Sequence, residues 1–191
     1  MTADIIRGAE KKMEGAIAFA KEDFAAVRTG RANPAMFTPI LVDYKLEADY
    51  YGAPTPLQQL ASFSSPEPRT MLITPYDKGA LGAIEKAVRD SDLGVNPASD
   101  GNAIRCVLPE LTQERRKEYI KIVRGRAEEA RVTIRGHRHH ALEAIKRKAK
   151  NKEIGEDEAK RAEKALDATT KKHVARIDEL LKAKEQELMS V

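Results

Sequence analysis

The sequence has few of the residues that build aromatic or cross-linked cores. Its 191 residues include no Trp and one Cys, and 5% are aromatic against 34% that are charged. A chain of this length forms one ordinary domain or two small ones, which excludes a large multidomain enzyme. The single cysteine, Cys106, excludes an intramolecular disulfide and has apolar neighbours, so we expect a small buried side chain rather than a catalytic nucleophile. Low aromatic content with high charge is typical of long amphipathic helices.

Several motifs of other protein classes are also absent from the sequence. No apolar run approaches the roughly 20 residues that a membrane-spanning helix needs, and the first residues have a helical period instead of a signal peptide's apolar centre. Neither glycine-rich phosphate-binding loop of nucleotidases and dehydrogenases occurs. His137 and His140 are three residues apart, but no further ligand is spaced to complete a metal site. We therefore expect a soluble, cytoplasmic protein that is not an enzyme and has no cofactor or metal.

The distribution of proline divides the chain into three parts. All nine prolines lie between Pro34 and Pro109, and a proline costs about 3 kcal/mol inside a helix. The flanking parts carry apolar residues at helical spacing, which predicts one helix up to Thr29, a second from Gln113 to about Asn151, and a third after Gly155. The middle part predicts short strands at 40–42, 57–63, 70–74 and 104–107, a helix at 78–91, and turns at 52–54, 64–68 and 96–101. We expect an α+β fold in which a three-helix bundle is interrupted by a small α/β domain.

The positive charge is concentrated in the second long helix. Residues 113–152 hold 14 basic and 5 acidic residues, whereas the whole chain has a net charge of +4. At 100° per residue, one arc of about 100° contains six basic side chains, interrupted by Glu128. This basic row consists of Lys117, Lys121, Arg124, Arg131, Arg135 and Arg138.

Two interpretations of the basic row are possible. It spans about 30 Å, enough to meet several phosphates of a nucleic-acid backbone. Alternatively, it is a solvated helix face with intrahelical pairs such as Glu128 with Arg131 and Arg124 with Glu128. The excess of positive charge favours nucleic-acid contact, and the absence of interleaved aromatic residues favours recognition of the backbone or shape of folded RNA over base stacking.

Six motifs in order give the chain a family resemblance along essentially its whole length. They are RTGRANP at 28–34, YYGAPTPLQQLAS at 50–62, SDLGVNP at 91–97, DGNAIR at 100–105, LPELTQERRKEYIKIVRG at 108–125 and EARVTIR at 129–135. With these motifs the chain resembles the bacterial ribosome recycling factors. The resemblance implies an elongated three-helix bundle, a small inserted domain of the β/α/β sandwich type, and two hinges between them. It places the bundle at 1–29 and 110–191, the small domain at 34–105, and the hinges at 29–34 and 105–109.

The same resemblance implies a function and a set of partners. Such a protein acts with elongation factor G and GTP to split the post-termination ribosome, so that subunits, messenger RNA and deacylated tRNA are released. Its bundle contacts the large ribosomal subunit and its RNA, and the protein is a monomer that binds no membrane. The main alternative is a structural or scaffold bundle that binds RNA without a recycling role and oligomerises through an apolar seam. An RNA-modifying enzyme is a third class, disfavoured because the sequence shows no paired acid and base and no cofactor motif.

Individual residues follow from the matched motifs. The hinge positions are Thr29, Gly30, Arg31, Ala32, Asn33 and Pro34, with Arg105, Cys106, Val107, Leu108 and Pro109. The resemblance assigns RNA contact to Arg28, Arg31, Arg131, Arg135 and Arg138, and the basic row adds Lys121 and Arg124. The sequence departs from the family pattern at 136–139, where Gly136 enters the predicted helix, and at 45–50, which is an additional segment.

Overall fold

The computed structural model of the protein describes residues 1–44 and 54–190. The chain divides into two compact units, one comprising Met1–Phe24 and Ile120–Gln186 and the other Ala25–Tyr119 and Glu187–Val191. The predicted domain limits and hinges stay predictions, and both predicted hinge segments lie within the second unit. The additional segment at 45–50 lies outside the described residues. No helix in the part of the chain described is long and apolar enough to cross a membrane.

The first unit consists of three long helices. They are α1 (Thr2–Ala25), most of α3 (Gln113–Lys150) and most of α4 (Glu156–Met189). Each lacks proline and buries a stripe of apolar residues, which is the pattern of a helix packed along one side. The buried side chains include Met13, Ala20, Val123, Ala127, Ile134, Ile145, Leu166 and Ile177.

Polar contacts also connect the three helices. Arg126 of α3 pairs with Asp23 of α1 at 3.1 Å, and the Thr2 hydroxyl donates to Glu158 of α4 at 3.4 Å. The 38 residues of α3 extend for about 57 Å at 1.5 Å per residue. The predicted break at Gly155 is confirmed, because α4 begins at the next residue and has three acidic residues in its first turn, where the helix dipole favours negative charge.

Helix α1 ends at Ala25 and not at the predicted Thr29. Its apolar period continues to Val27, but the following side chain, Arg28, is buried and bonds main-chain carbonyls of Leu93 and Pro109. Those partners are distant in sequence, so the local helical periodicity cannot indicate them. The helix prediction was therefore too long by one turn.

A four-stranded antiparallel sheet forms the centre of the second unit. Its spatial order is β3 (Ala61–Glu67), β4 (Thr70–Pro75), β6 (Ile104–Val107) and β5 (Asn96–Ser99). Helix α2 (Leu81–Arg89) contributes Ile84 and Val88 to the same core as Met71, Ile73, Ile104 and Cys106 of the sheet. Two further strands, β1 (Leu41–Val42) and β2 (Thr55–Pro56), pair with each other. The predicted α+β fold, with long helices and a small α/β part, is confirmed.

Two predicted turns are wrong because proline was taken as a sign of a turn. Strand β3 continues through Pro66 to Glu67, and β5 contains Pro97. Both are edge strands, which have a neighbouring strand on one side only. Proline is tolerated there because the outer side of the strand has no neighbour that needs a backbone N–H. Pro66 also lies at an irregularity of the register between Ser64 and Glu67. The predicted strand at 57–63 begins instead with a 3₁₀ turn, Leu57–Gln59, closed by a bond from the Leu60 N–H to the Leu57 carbonyl.

Candidate nucleic-acid interface

Three arginines of α3 each face a carboxylate of α4. Arg124 lies 2.5 Å from Glu185, Arg131 lies 2.6 Å from Asp178, and Arg138 lies 2.7 Å from Asp167. The arginines are seven residues apart, which is about two helical turns, so they share one side of α3. Their partners follow in descending order along α4, as expected for antiparallel helices. We call Arg124, Arg131 and Arg138 the arginine ladder.

Glu128 lies within the basic row and adds a local set of ion pairs. It accepts from Arg131 at 3.0 Å and from Arg135 at 3.4 Å. Of the two intrahelical pairs that the solvated-face interpretation predicted, Glu128 with Arg131 is therefore present, whereas Arg124 pairs with Glu185 of α4 instead. Arg131, between Glu128 and Asp178, has the least exposed side chain of the ladder at 19%, whereas Arg135 remains 56% exposed.

The ion pairs favour the charged form of two arginines of the ladder, Arg124 and Arg131. A hydrogen bond and the nearby charge of Glu185 raise the pKa of Arg124. Partial burial alone lowers the pKa of Arg131, but the bonds and charges of Asp178 and Glu128 outweigh it, so that the pKa is raised. The charged forms of Arg124 and Arg131 are therefore stabilised, and each of the two charges is shared with a carboxylate.

The guanidinium groups of Arg124 and Arg138 keep terminal nitrogens that their ion pairs with α4 do not use. The bonds of Arg124 and Arg138 to α4 are made by Nε in the described residues, which leaves their terminal nitrogens outside those contacts. A guanidinium has five N–H donors and matches a phosphate in a two-point contact. The ladder is thus an ordered series of guanidinium groups able to meet phosphate oxygens, and not a row of bare charges.

The remaining basic candidates of α3 have different surroundings. Lys117 and Lys121 are exposed, and Arg135 bonds Glu128. Arg126 lies on another side of α3, where it bonds both the carboxylate and the main-chain carbonyl of Asp23. Gly136 does not interrupt α3, so the departure from the family pattern leaves the helix continuous. Burial, followed by the charges of Lys12 and His140, lowers the pKa of the neighbouring His137.

Arg28 and Arg31 belong to the second unit and differ sharply from each other. Arg28 is 7% exposed and donates to the Leu93 carbonyl at 3.0 Å and to the Pro109 carbonyl, while its Nε has no hydrogen-bond partner among the residues that the structure describes. Desolvation by burial lowers its pKa. Arg31 is exposed and lines a shallow cavity with Ala32 and residues 65–68. RNA contact by Arg28 stays a prediction, and the structure gives this side chain a tertiary role that its motif did not indicate.

The residues predicted as hinges are ordered by local bonds. The Thr29 hydroxyl accepts from the Arg31 N–H at 3.3 Å, and the Asn33 side chain accepts from the Ala35 N–H at 3.0 Å at the start of a 3₁₀ turn (Pro34–Met36). Arg105, Cys106 and Val107 lie in β6 and pair with both neighbouring strands. Leu108 follows the strand and bonds the Arg69 carbonyl at 2.8 Å.

One group of side chains in the described residues has the composition of a metal site. Ligand atoms of Glu10, Glu14 and His173 lie within 4.8 Å of one another. His173 is buried and its Nδ1 contacts the Thr169 carbonyl at 2.6 Å, which leaves Nε2 for another partner. The sequence prediction considered only His137 and His140, and the expected absence of a metal stays a prediction.

Burial also decides the chemistry of the single cysteine. Cys106 is fully buried in the sheet, and desolvation raises its pKa to about 11. Its thiol is therefore protonated at neutral pH, whereas a nucleophilic cysteine needs the thiolate.

Comparison with known proteins gives consistent matches. The family model described as ribosome recycling factor matches residues 20–189. A ribosome-recycling factor of Kocuria rhizophila is 60% identical over 189 residues, covering 99% of both chains, and one of Kineococcus radiotolerans is 62% identical over 191 residues, covering 100% of both.

Solved structures match over the same length. A solution structure of a ribosome recycling factor has a TM-score of 0.73 and 41% identity, covering 100% of this chain and 98% of that chain. A model of the T. thermophilus ribosome recycling factor, placed with E. coli elongation factor G on the E. coli post-termination complex, has a TM-score of 0.67 and 41% identity, covering 100% of both chains.

Proposed function

The chain belongs to the ribosome recycling factor family, and on this basis we propose which of its surfaces perform the function of that family. The protein is a translation factor that acts with elongation factor G and GTP to split the post-termination ribosome. The splitting releases the subunits, the messenger RNA and the deacylated tRNA. Its partners are the large ribosomal subunit and elongation factor G, and we propose that it acts in the cytoplasm as a monomer.

We propose that the protein itself catalyses no covalent step. GTP hydrolysis takes place on elongation factor G, and this chain converts the resulting movement into separation of the subunits. The protonated, buried thiol of Cys106 supports this view, because the single cysteine has no nucleophilic character at neutral pH. The protein then contributes binding surfaces and rigid helices.

The RNA-binding surface that we propose is the side of α3 that carries the arginine ladder, with Arg135 and Lys121 beside it. The observation that carries this proposal is the set of three ion pairs that hold guanidinium groups at seven-residue intervals. From Arg124 to Arg138 the helix rises by about 21 Å, which covers several phosphates of folded RNA. Fixed guanidinium groups lose little side-chain freedom on binding, so each contact contributes more to affinity.

We further propose that the small domain receives the push of elongation factor G and turns about the hinges at 29–34 and 105–109. The support for this proposal is membership of the family, since the boundaries between the two compact units fall at 24–25, 119–120 and 186–187 and both hinge segments lie within the second unit. A disulfide engineered to join the two domains is expected to abolish subunit splitting while large-subunit binding persists. Unchanged splitting by the locked protein would refute the mechanical proposal.

Sedimentation with isolated large subunits at two salt concentrations tests the RNA-binding surface. Arg138→Ala is expected to weaken binding by about ten- to a hundredfold, since a charge-assisted contact contributes about 1.5–3 kcal/mol. Its salt dependence is expected to be shallower, because fewer counterions are released. Arg176→Ala is the matched control, since Arg176 is an exposed arginine of α4 that pairs only locally with Glu179. Equal affinities for the two variants would show that the ladder does not bind the large subunit.

A further inference from the structure

The carboxylates of α4 that face the arginine ladder are unusual for a surface that binds RNA. Asp167, Asp178 and Glu185 bond the ladder at 2.5–2.8 Å, and the side chains of Asp167 and Asp178 are 51% and 54% exposed. They lie beside the guanidinium groups that a phosphate would approach. In each of the three pairs one partner is more than half exposed, so solvent screens the pair and its contribution to folding stability is small. Stability alone therefore does not account for three such pairs along one side of α3.

Physical chemistry gives these carboxylates two opposite effects on RNA binding. Each cancels one positive charge, which reduces the release of counterions that drives binding to any RNA regardless of its structure. Each also fixes the plane of one guanidinium, which benefits an RNA surface whose phosphates match those planes. An RNA without matching phosphates experiences only the first effect.

Resting on the RNA-binding function proposed above, we infer that Asp167, Asp178 and Glu185 determine the RNA selectivity of the arginine ladder. They act as positioning residues, and they lower the affinity for unstructured RNA more than the affinity for the large ribosomal subunit. The positioned arginines favour the large subunit, and the carboxylates weaken binding to other RNA. Both effects are needed for selectivity, because electrostatic attraction to phosphate is common to all RNA. A cationic helix would otherwise bind the abundant competing RNA of a bacterial cell, so selectivity for the large subunit increases the fraction of the protein that is bound there.

The test compares two RNA partners for each variant of the full chain. Affinity is measured for isolated large subunits and for polyuridine RNA, each at two salt concentrations. Asp178→Asn retains the size and the carbonyl oxygen of the side chain but removes its charge. We expect this variant to bind polyuridine about 3- to 10-fold more tightly, with a steeper salt dependence, and to bind large subunits with unchanged or lower affinity. Asp178→Glu, which restores the charge, is expected to restore the discrimination between the two partners.

Asp4→Asn is the matched control, because Asp4 is an exposed carboxylate of α1 that pairs with Arg7 at 3.5 Å and its loss changes the net charge equally. A rise in polyuridine affinity that Asp4→Asn reproduces in full would overturn the inference in favour of a net-charge effect. Equal shifts for both RNA partners in Asp178→Asn, or no shift in either, would also overturn it. Circular dichroism checks that the variants are folded.

The outcome for Arg131→Ala separates this inference from the proposed function. If Arg131→Ala leaves large-subunit affinity unchanged, the ladder is not the RNA-binding surface and the proposed function of this face fails. If Arg131→Ala weakens large-subunit binding while Asp178→Asn leaves the ratio of the two affinities unchanged, only the inference about selectivity fails.

Discussion

Arg131 and Asp178 meet through two nitrogens of the guanidinium that converge on one carboxylate oxygen. Nε lies 2.8 Å and Nη2 lies 2.6 Å from Oδ1 of Asp178, and Nη1 extends the other way to Glu128 at 3.0 Å. All three nitrogens of this side chain are therefore engaged, and its plane is fixed by two helices. A lysine has the same charge but one nitrogen, and it cannot reproduce this arrangement.

Arg131→Lys separates geometry from charge at this position. We expect the variant to bind large subunits about 3- to 10-fold more weakly, because the ammonium contacts a phosphate as a point charge without a fixed plane. The salt dependence of binding is expected to stay the same, since the net charge is unchanged. Sedimentation at several salt concentrations measures both quantities. A shallower salt slope would indicate that the lysine is displaced from the surface altogether.

The long helices were predictable from sequence, whereas their mutual register was not. Proline-free segments and a repeated apolar stripe located α3 and α4 to within a residue or two, because local periodicity is the physical cause of an amphipathic helix. The sequence also contains the seven-residue interval between Asp178 and Glu185. Which arginine each of them meets depends on how α3 and α4 align, and this is decided by packing across the whole bundle. Hence the basic row was predicted and its acidic partners were missed.

In the small sheet, too, the incorrect predictions concern features that depend on residues distant in sequence. Pro66 and Pro97 indicate turns when only neighbouring residues are considered. Whether a proline is tolerated in a strand depends on its position at the edge of the sheet, which is fixed by the strand order. The burial of Arg28 was equally invisible, since its partners lie 65 and 81 residues away.

Arg126 is expected to stabilise the helices without contributing to RNA binding. It bonds the carboxylate of Asp23 at 3.1 Å and the main-chain carbonyl of the same residue at 3.0 Å, and both side chains are partly buried. Arg126→Ala is expected to lower the free energy of unfolding by about 1 kcal/mol, because two partly screened contacts are lost. Thermal and urea unfolding measure this change, and large-subunit affinity is expected to stay within twofold. A large loss of affinity would place Arg126 on the RNA-binding surface.

Cys106 is expected to resist thiol reagents in the folded protein. It is fully buried and its pKa is raised to about 11, so that neither access nor thiolate is available at pH 8. Labelling with a thiol-reactive disulfide should be slow in buffer and rapid in urea. Because the raised pKa means that the folded state holds its proton more firmly, this thiol contributes stability below pH 9 that is lost as the pH rises towards 11. Cys106→Ala is expected to show a smaller decline of stability over that range than the unmodified protein.

Arg28 is expected to be required for the stability of the second unit. Its guanidinium donates to the carbonyls of Leu93 and Pro109, which lie in segments otherwise distant along the chain. Arg28→Ala removes both bonds and leaves the two carbonyls without this partner, so we expect the free energy of unfolding to fall by about 2–4 kcal/mol.

Arg31→Ala is the control for that experiment, because Arg31 belongs to the same motif but is exposed. Its effect on stability is expected to remain within about 0.5 kcal/mol. Urea unfolding of both variants gives the comparison, and large-subunit binding of the folded fraction shows whether either arginine also contacts RNA. If Arg28→Ala unfolds like the unmodified protein but loses large-subunit affinity, then Arg28 leaves its buried position to bind RNA, and its bonds to Leu93 and Pro109 are dispensable for the fold.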